Sequence, residues 1–127
     1  MKLLVDTHVF LWAITDSPKL SRKHRALWLD GENELWLSVG SVWEMLIKAG
    51  TGKLPLPGPA TAYIYRQMEK NRISSMAIRP AHFAELEGLP PLHRDPFDRL
   101  LVAQARAEKM PIVSVDPGIK RYGVKVL

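Results

Sequence analysis

The amino-acid sequence predicts one α/β domain, residues 1–127, built around a parallel sheet that helices cover on both faces. A chain of 127 residues has room for one domain and its core. The composition, 46% apolar and 24% charged, is that of an ordinary globular protein. Short apolar segments alternate along the chain with longer helix-like segments, and this alternation is typical of βαβ units.

In the first half of the chain, two predicted strands are each followed by a helix. Short apolar runs predict buried strands, and segments that begin at a capping residue and end at proline or glycine predict helices. Asp16-Ser17-Pro18 ends the first helix, and Gly50 ends the third. The predicted elements are a strand Leu3–Val5, helices Val9–Ile14 and Ser21 to Asp30-Gly31, a strand Leu35–Ser38, and a helix Ser41–Ala49.

Two proline-rich loops divide the second half. Leu54–Pro59 contains three prolines, which cannot lie inside a helix, and Leu89–Arg94 contains Pro90-Pro91. Pro96–Lys109 is the best-defined helix, because it begins with proline and carries regularly spaced apolar residues. The other predicted elements are a helix Thr61–Asn71, a strand Ile73–Ile78, a helix Ala81–Glu87, a strand Ile112–Val115 and an edge strand Val124–Val126.

Composition excludes several classes of protein. The absence of cysteine excludes a disulfide scaffold, a thiolate zinc site and a cysteine nucleophile. The sequence contains no P-loop motif, and His93 has no second histidine at metal-ligand spacing. The apolar runs are too short to cross a membrane, and Asp6 interrupts the amino-terminal run, so a cytoplasmic location is expected. The formal net charge of +5 favours a polyanionic partner such as nucleic acid.

Four acidic residues lie at the junctions between predicted strands and helices. Asp6 and Asp116 follow strands, and Glu44 and Asp98 lie in the first turns of helices. In parallel sheets, ligand sites lie beyond the carboxyl ends of the strands. Carboxylates that converge there repel one another, and a divalent cation such as Mg²⁺ or Mn²⁺ removes that repulsion. The pattern therefore predicts a site for metal-assisted attack of water on a phosphodiester.

Each of these acids also has a purely structural interpretation, which does not exclude a metal. Serine and aspartate cap helices, and acids in a first turn complement the helix dipole. Asp-Pro-Gly sequences are typical of turns. The structural alternatives are a capping box of Ser41 with Glu44, an N-cap at Asp95 followed by a dipole partner at Asp98, a turn at Asp116-Pro117-Gly118, and an N-cap at Asp6.

Four neighbouring residues are candidates for a supporting role. Thr7 and Ser114 flank the same sheet edge, where their hydroxyls can bind a carboxylate or act only in turns. Arg94 and Arg99 lie on either side of Asp98 and can hold a phosphate or pair with Asp95. The arginines are therefore predicted as phosphate ligands, with an ordinary charged surface as the alternative.

Several segments resemble the motifs of PIN-domain ribonucleases, and in particular the toxins of VapBC-type toxin–antitoxin pairs. These segments are Val5-Asp6-Thr7-His8, Ser41-Val42-Trp43-Glu44, His93-Arg94-Asp95-Pro96-Phe97-Asp98-Arg99-Leu100-Leu101, and Ser114-Val115-Asp116. The resemblance extends over the whole chain, and the order and spacing of the acids fit throughout. It implies a three-layer α/β/α sandwich around a parallel sheet of four or five strands. It also implies endonuclease activity on RNA that depends on Mg²⁺ or Mn²⁺.

The resemblance also assigns roles to individual residues. It places Asp6, Glu44, Asp98 and Asp116 in one acidic pocket, with Asp6 and Asp98 as the principal metal ligands. Asp116 and Glu44 bind a second ion or orient water, and Asp95 supports Asp98. Because members of the family form homodimers and are inhibited by a small antitoxin, it further implies a homodimer and a cognate antitoxin as partners.

Two other functions compete with a ribonuclease. A phosphatase with Asp6 as its nucleophile needs a second acid two residues later, where this chain has His8. A non-catalytic module that binds RNA or protein needs the acids only as helix caps. A metal titration separates the second alternative from a nuclease, because a capping carboxylate gives no saturable Mn²⁺ site.

Overall fold

The structure, a computed structural model, describes residues 1–127 and contains a four-stranded sheet with seven helices. The strands are β1 (Lys2–Val5), β2 (Glu34–Ser38), β3 (Ser74–Met76) and β4 (Ile112–Val113). The helices are α1 (Thr7–Ile14), α2 (Arg22–Leu29), α3 (Val39–Gly50), α4 (Ala60–Lys70), α5 (Pro80–Glu87), α6 (Pro96–Glu108) and α7 (Pro117–Lys120). None of the helices has the length and apolar character that crossing a bilayer requires.

All pairings in the sheet are parallel, and the strand order is β3-β2-β1-β4. The chain builds the sheet outward from β1 through β2 to β3, and then returns to place β4 on the other side of β1. The strand order therefore reverses between β1 and β4, where Leu4 pairs with Ile112 and Val5 with Val113. In open α/β sheets this reversal creates a crevice beyond the strand ends.

Two hydrophobic clusters cover the two faces of the sheet. Alternate residues of a strand point to opposite faces, so Leu3 and Val5 enter one cluster and Leu4 enters the other. The first cluster takes residues from α1, α3 and α4, and the second takes them from α6 and α7. This arrangement confirms the predicted α/β/α sandwich with a parallel sheet of at least four strands.

The third helix begins earlier than the sequence predicts. It begins at Val39, because the side chain of Ser38 caps it by accepting a hydrogen bond from the amide of Gly40 at 3.0 Å. Ser41 therefore lies inside the helix, and Glu44 lies in its second turn, where it cannot form a capping box with Ser41. A side chain at Gly40 would lie 2.8 Å from Leu100 Cδ2, so glycine allows α3 and α6 to approach closely.

The last part of the chain also differs from the prediction. Asp116-Pro117-Gly118 begins a one-turn helix, α7, instead of a turn, because Asp116 caps it and proline suits the first helical position. The predicted edge strand Val124–Val126 reduces to a single parallel bridge between Ile112 and Val126. The sheet therefore has four strands and one bridge at the edge of β4. The predicted strands Ile73–Ile78 and Ile112–Val115 are shorter in the structure, at three and two residues.

Candidate active site

The predicted site residues lie at the carboxyl ends of β1 and β4, where the strand order reverses. Asp6 follows β1 directly, and Ser114 and Asp116 follow β4. Helices α3 and α6 approach this edge and carry Glu44 and Asp98. The topology therefore brings residues that are up to 110 positions apart, Asp6 and Asp116, to one end of the sheet.

Asp6 is buried, with 2% of its surface exposed, and it does not cap a helix through its side chain. Its amide donates to the carbonyl of Val113 at 3.0 Å, and its Oδ2 accepts from Ser114 Oγ at 2.6 Å. The capping interpretation of Asp6 is therefore wrong for the side chain. Burial raises the pKa of Asp6, and the nearby charge of Glu44 adds to the increase, while the Ser114 hydrogen bond opposes it.

Glu44 is also buried, at 3% exposure, and both of its oxygens are hydrogen-bonded. Thr7 Oγ1 donates to Oε1 at 2.8 Å, and Lys48 Nζ donates to Oε2 at 2.8 Å. The hydrogen bond to Glu44 raises the pKa of Lys48. Two hydrogen bonds therefore hold the Glu44 carboxylate in place in the middle of α3. The alternative role of Glu44 in a capping box with Ser41 is wrong, because α3 begins at Val39.

Asp98 and Asp116 lie together with a third residue, His93. The Nε2 of His93 is 3.0 Å from Asp116 Oδ2 and 3.2 Å from Asp98 Oδ2. One side-chain atom of each of the three residues lies within 4.8 Å of the others, a spacing that allows them to hold one ion. Asp98 lies in the first turn of α6, as predicted, and Asp116 caps α7 through the amide of Gly118 at 2.8 Å.

The two carboxyl groups of this cluster differ strongly in acidity. Burial, followed by the charges of Asp6, Asp95 and Asp116, raises the pKa of Asp98 to about 8. Burial also acts against the ionised form of Asp116, but hydrogen bonds from His93 and the amide of Gly118 outweigh it and lower the pKa of Asp116. Asp98 is therefore the weaker acid of the two, and the two neighbouring groups titrate as a pair.

Hydrogen bonds connect the buried acids to this cluster. Ser114 Oγ donates to Asp6 and accepts from the amide of Asp116 at 3.0 Å. Thr7, the residue after Asp6, donates to Glu44. Thr7 and Ser114 therefore both contact carboxylates, which is one of the two alternatives that the sequence leaves open.

The remaining supporting candidates act at the edges of the site. Asp95 caps α6 and accepts from the amides of Phe97 at 2.8 Å and Asp98 at 3.3 Å. Arg99 Nη2 donates to the carbonyl of Leu89 at 3.2 Å, and Arg94 is exposed. Asp95 thus fixes the start of the helix that carries Asp98, and Arg99 holds the preceding loop rather than an acid.

Sequence reasoning missed His93 as a site residue. His93 belongs to a motif of the resemblance but was given no role, because it has no second histidine at zinc-ligand spacing; its partners are carboxylates 5 and 23 residues away. The available signal was the position of His93 two residues before the helix cap Asp95. A side chain at that position lies over the first turn of the helix, where Asp98 is located.

The chemistry of these residues fits a divalent cation with a preference for oxygen. Asp6, Asp98 and Asp116 offer carboxylate oxygens at one edge of the sheet, and Glu44 lies close enough to Asp6 to influence its pKa. Burial and the neighbouring acids raise the pKa of Asp98, so a cation bound beside it would favour its ionised form. Mg²⁺ and Mn²⁺ supply such charge and bind to carboxylates.

The parallel sheet with acids at its reversal point defines the class, and the chain belongs to the PIN domain family, whose model matches residues 3–125. The chain is similar to Ribonuclease VapC16 of Mycobacterium tuberculosis strain H37Rv, with 37% identity over 60 residues. That match covers 47% of this chain and 43% of the relative, which is less than half of either protein.

Solved structures share the fold. VapBC2 from Rickettsia felis, bound to a DNA fragment from its promoter, matches with a TM-score of 0.72 and 17% identity, over 100% of this chain and 98% of that chain. VapBC-1 from nontypeable Haemophilus influenzae matches with a TM-score of 0.70 and 13% identity, over 100% and 97%. At these identities the likeness establishes the shared fold alone.

Proposed function

We propose that this protein, as one domain of residues 1–127, is an endoribonuclease that depends on Mg²⁺ or Mn²⁺ and serves as the toxin of a toxin–antitoxin pair. The observation that carries the proposal is the cluster of His93, Asp98 and Asp116, whose ligand atoms lie within 4.8 Å of one another, with the charge of the buried Asp6 close enough to raise the pKa of Asp98. Membership in the PIN domain family and similarity to a ribonuclease support it.

We propose that the surroundings of each acid determine its role. Asp98 and Asp116 hold the cation, and Asp6, oriented by Ser114, completes the ligand set. When bound, the cation lowers the pKa of water and stabilises the leaving oxygen of the phosphodiester. Glu44 has one donor on each oxygen, which fixes the carboxylate and leaves further lone pairs to orient a water.

A basic groove next to the acids supports RNA as the substrate. A cavity of about 520 Å³ lies between α1 and the segment after α3, and its lining includes His8, Trp12, Lys19, Lys48 and Lys53. Lysines provide affinity for a phosphate backbone of any sequence. The rings of His8 and Trp12, with centroids 6.0 Å apart, offer surfaces on which unpaired bases can stack. The groove reaches the acids, because Lys48 also donates to Glu44.

An exposed apolar patch beside the site supports a protein partner, for which we propose a cognate antitoxin and a second copy of the chain. Trp43 is 59% exposed and Ile47 43% exposed on the helix that carries Glu44, and the ring of Phe97 packs edge-on against Trp43 at 5.3 Å. Contiguous exposed apolar side chains commonly mark protein interfaces. The similar solved structures are VapBC assemblies. With cellular RNA as the substrate, the proposed location is the cytoplasm.

The contacts of the acids favour a nuclease over a non-catalytic module. Asp95 and Asp116 cap helices, as that alternative requires, but the side chains of Asp6 and Glu44 bind other side chains and cap none. Two buried carboxylates without a capping role support a site for a cation.

RNA cleavage tests the proposal. Purified protein is incubated with single-stranded RNA after removal of metal by EDTA, and then with added Mg²⁺ or Mn²⁺. We expect no cleavage without metal and cleavage with 5′-phosphate products when metal is restored. Cleavage that continues unchanged in EDTA contradicts the metal dependence, and folded, metal-supplied protein that cleaves no RNA contradicts the nuclease.

A further inference from the structure

We propose that His93 is a positioning residue: its ring donates a fixed Nε2–H to Asp116, beside Asp98, and does not bind the cation. This inference rests on the proposed function, because it assumes that Asp98 and Asp116 hold the cation. It assigns a role to a residue of the loop Leu89–Arg94, which connects α5 to α6.

The protonation of the ring follows from its backbone partner. The amide of Asp95 donates to His93 Nδ1 at 3.0 Å. A backbone N–H is always a donor, so Nδ1 must present a lone pair, and the proton of the neutral ring must be on Nε2. The ring is therefore held as the Nε2–H tautomer by the same residue that caps α6.

The protonated nitrogen is hydrogen-bonded to Asp116 and lies beside Asp98. Nε2 donates to Asp116 Oδ2 at 3.0 Å and lies 3.2 Å from Asp98 Oδ2. A metal–nitrogen bond at Nε2 would need the lone pair there, which would move the proton to Nδ1 and break the hydrogen bond from the Asp95 amide. The geometry therefore favours a donor over a ligand at this position.

Several contacts fix the position of the ring. Tyr122 Oη accepts from the amides of His93 at 2.9 Å and Leu92 at 3.2 Å, and Arg121 Nη1 donates to the carbonyl of Leu92 at 2.8 Å. The ring packs against Gly118, where a Cβ would lie 2.5 Å from its Cδ2 and 2.9 Å from its Nε2. The loop is therefore anchored on both sides of His93, and the space at position 118 is taken by the imidazole.

A donor that is held on Asp116 and lies 3.2 Å from Asp98 keeps the two carboxylates close together before the cation arrives. One of them comes from α6 and the other precedes α7, and the ring of His93 contacts both side chains. Loss of such an outer partner typically weakens metal affinity by about 10- to 100-fold. We expect that range for Mn²⁺ binding when the Nε2–H donor is removed.

Two variants separate the two nitrogens of the ring. In His93→Asn the amide replaces the ring near Nδ1 and can still accept from Asp95, but it does not reach the acids. In His93→Gln the amide reaches the position of Nε2 and can donate to them. Mn²⁺ titration followed by electron paramagnetic resonance is expected to show a Kd about 10- to 100-fold higher for His93→Asn and close to wild type for His93→Gln. An equal Kd for wild type and His93→Asn overturns the proposal.

Measurement of the His93 tautomer in the wild-type protein does not depend on whether a variant folds. Long-range ¹⁵N NMR is expected to show the proton of His93 on Nε2, both without metal and with saturating Mg²⁺. Transfer of the proton to Nδ1 on addition of Mg²⁺ overturns the proposal, as does a directly bound ¹⁴N coupling to Mn²⁺ that His93→Asn removes. Wild-type protein that binds no Mn²⁺ overturns the proposed function as well, whereas a bound ion with an unaffected His93→Asn overturns this inference alone.

Discussion

Asp98 gives the metal-free protein a dependence of stability on pH that is opposite to that of a typical ion-paired carboxylate. Burial and the neighbouring acids raise its pKa from 3.8 to about 8 in the folded chain. Between these two values the folded state holds a proton that the unfolded state has released, so the free energy of unfolding falls as pH rises. The contribution is complete below about pH 4 and is lost as pH rises to about 8.

A divalent cation reverses this loss because it binds only the folded, ionised site. At 100 times Kd, binding adds about 2.7 kcal/mol to the free energy of unfolding. With roughly 2.1 cal/mol/K per residue of unfolding entropy, 127 residues convert that into a rise in Tm of about 10 °C at pH 8. At pH 5 a group of pKa about 8 is ionised on the order of once in a thousand molecules, so the apparent affinity falls by that fraction. The expected rise in Tm at pH 5 and the same cation concentration is then under about 1 °C.

Thermal melts with and without Mg²⁺ at pH 5 and pH 8 measure both effects. Asp98→Asn removes the titrating charge, so the variant should show a weaker fall in metal-free stability between these pH values and little rise in Tm with Mg²⁺. Glu87→Gln, at an exposed position of α5, is the matched control and should behave as wild type. If Mg²⁺ raises Tm equally at both pH values, or equally in wild type and Asp98→Asn, the hypothesis of a shared acidic site is refuted.

Three further predictions concern the imidazole ring of His93, the basic groove and the growth of a bacterial host. Gly118→Ala should lower the free energy of unfolding by about 1–3 kcal/mol, because the new methyl group displaces His93; urea denaturation measures the loss, and an unchanged midpoint contradicts it. The double variant Lys19→Ala/Lys53→Ala should flatten the plot of log binding constant for single-stranded RNA against log salt by about 1.4 if both lysines contact phosphates, and an unchanged slope places RNA elsewhere. Expression of the chain alone in a bacterial host should arrest growth, and Asp6→Ala should relieve the arrest; normal growth with abundant folded wild type counts against a toxin.

Much of the fold could be predicted because its signals are local. Buried strands of a parallel sheet appear as short apolar runs, as in Leu3–Val5, and helix ends carry proline, serine or aspartate. Asp95 was predicted as a cap and is one. The start of α3 was misplaced because Ser38 and Ser41 are both possible caps, and tertiary packing of Gly40 on Leu100 favours the earlier one.

The positions of some candidate site residues could be predicted from the geometry of a parallel sheet. Parallel strands end at one edge, so the residues after β1 and β4 meet there whatever the intervening chain does. That rule located Asp6, Ser114 and Asp116. The contact of His93 with Asp116 could not be predicted, because it depends on how the loop before α6 passes over Gly118 and reaches a residue 23 positions away.

The most direct test of the account is the rate of RNA cleavage by Asp98→Asn in excess Mg²⁺, measured beside wild type and Glu87→Gln. The amide keeps the shape of the side chain but loses the charge that holds a cation. The account predicts that Asp98→Asn is folded, by circular dichroism, and cleaves no RNA above background, while Glu87→Gln cleaves at the wild-type rate. Folded Asp98→Asn that cleaves RNA as fast as wild type would contradict the claim that these acids form a metal-dependent active site.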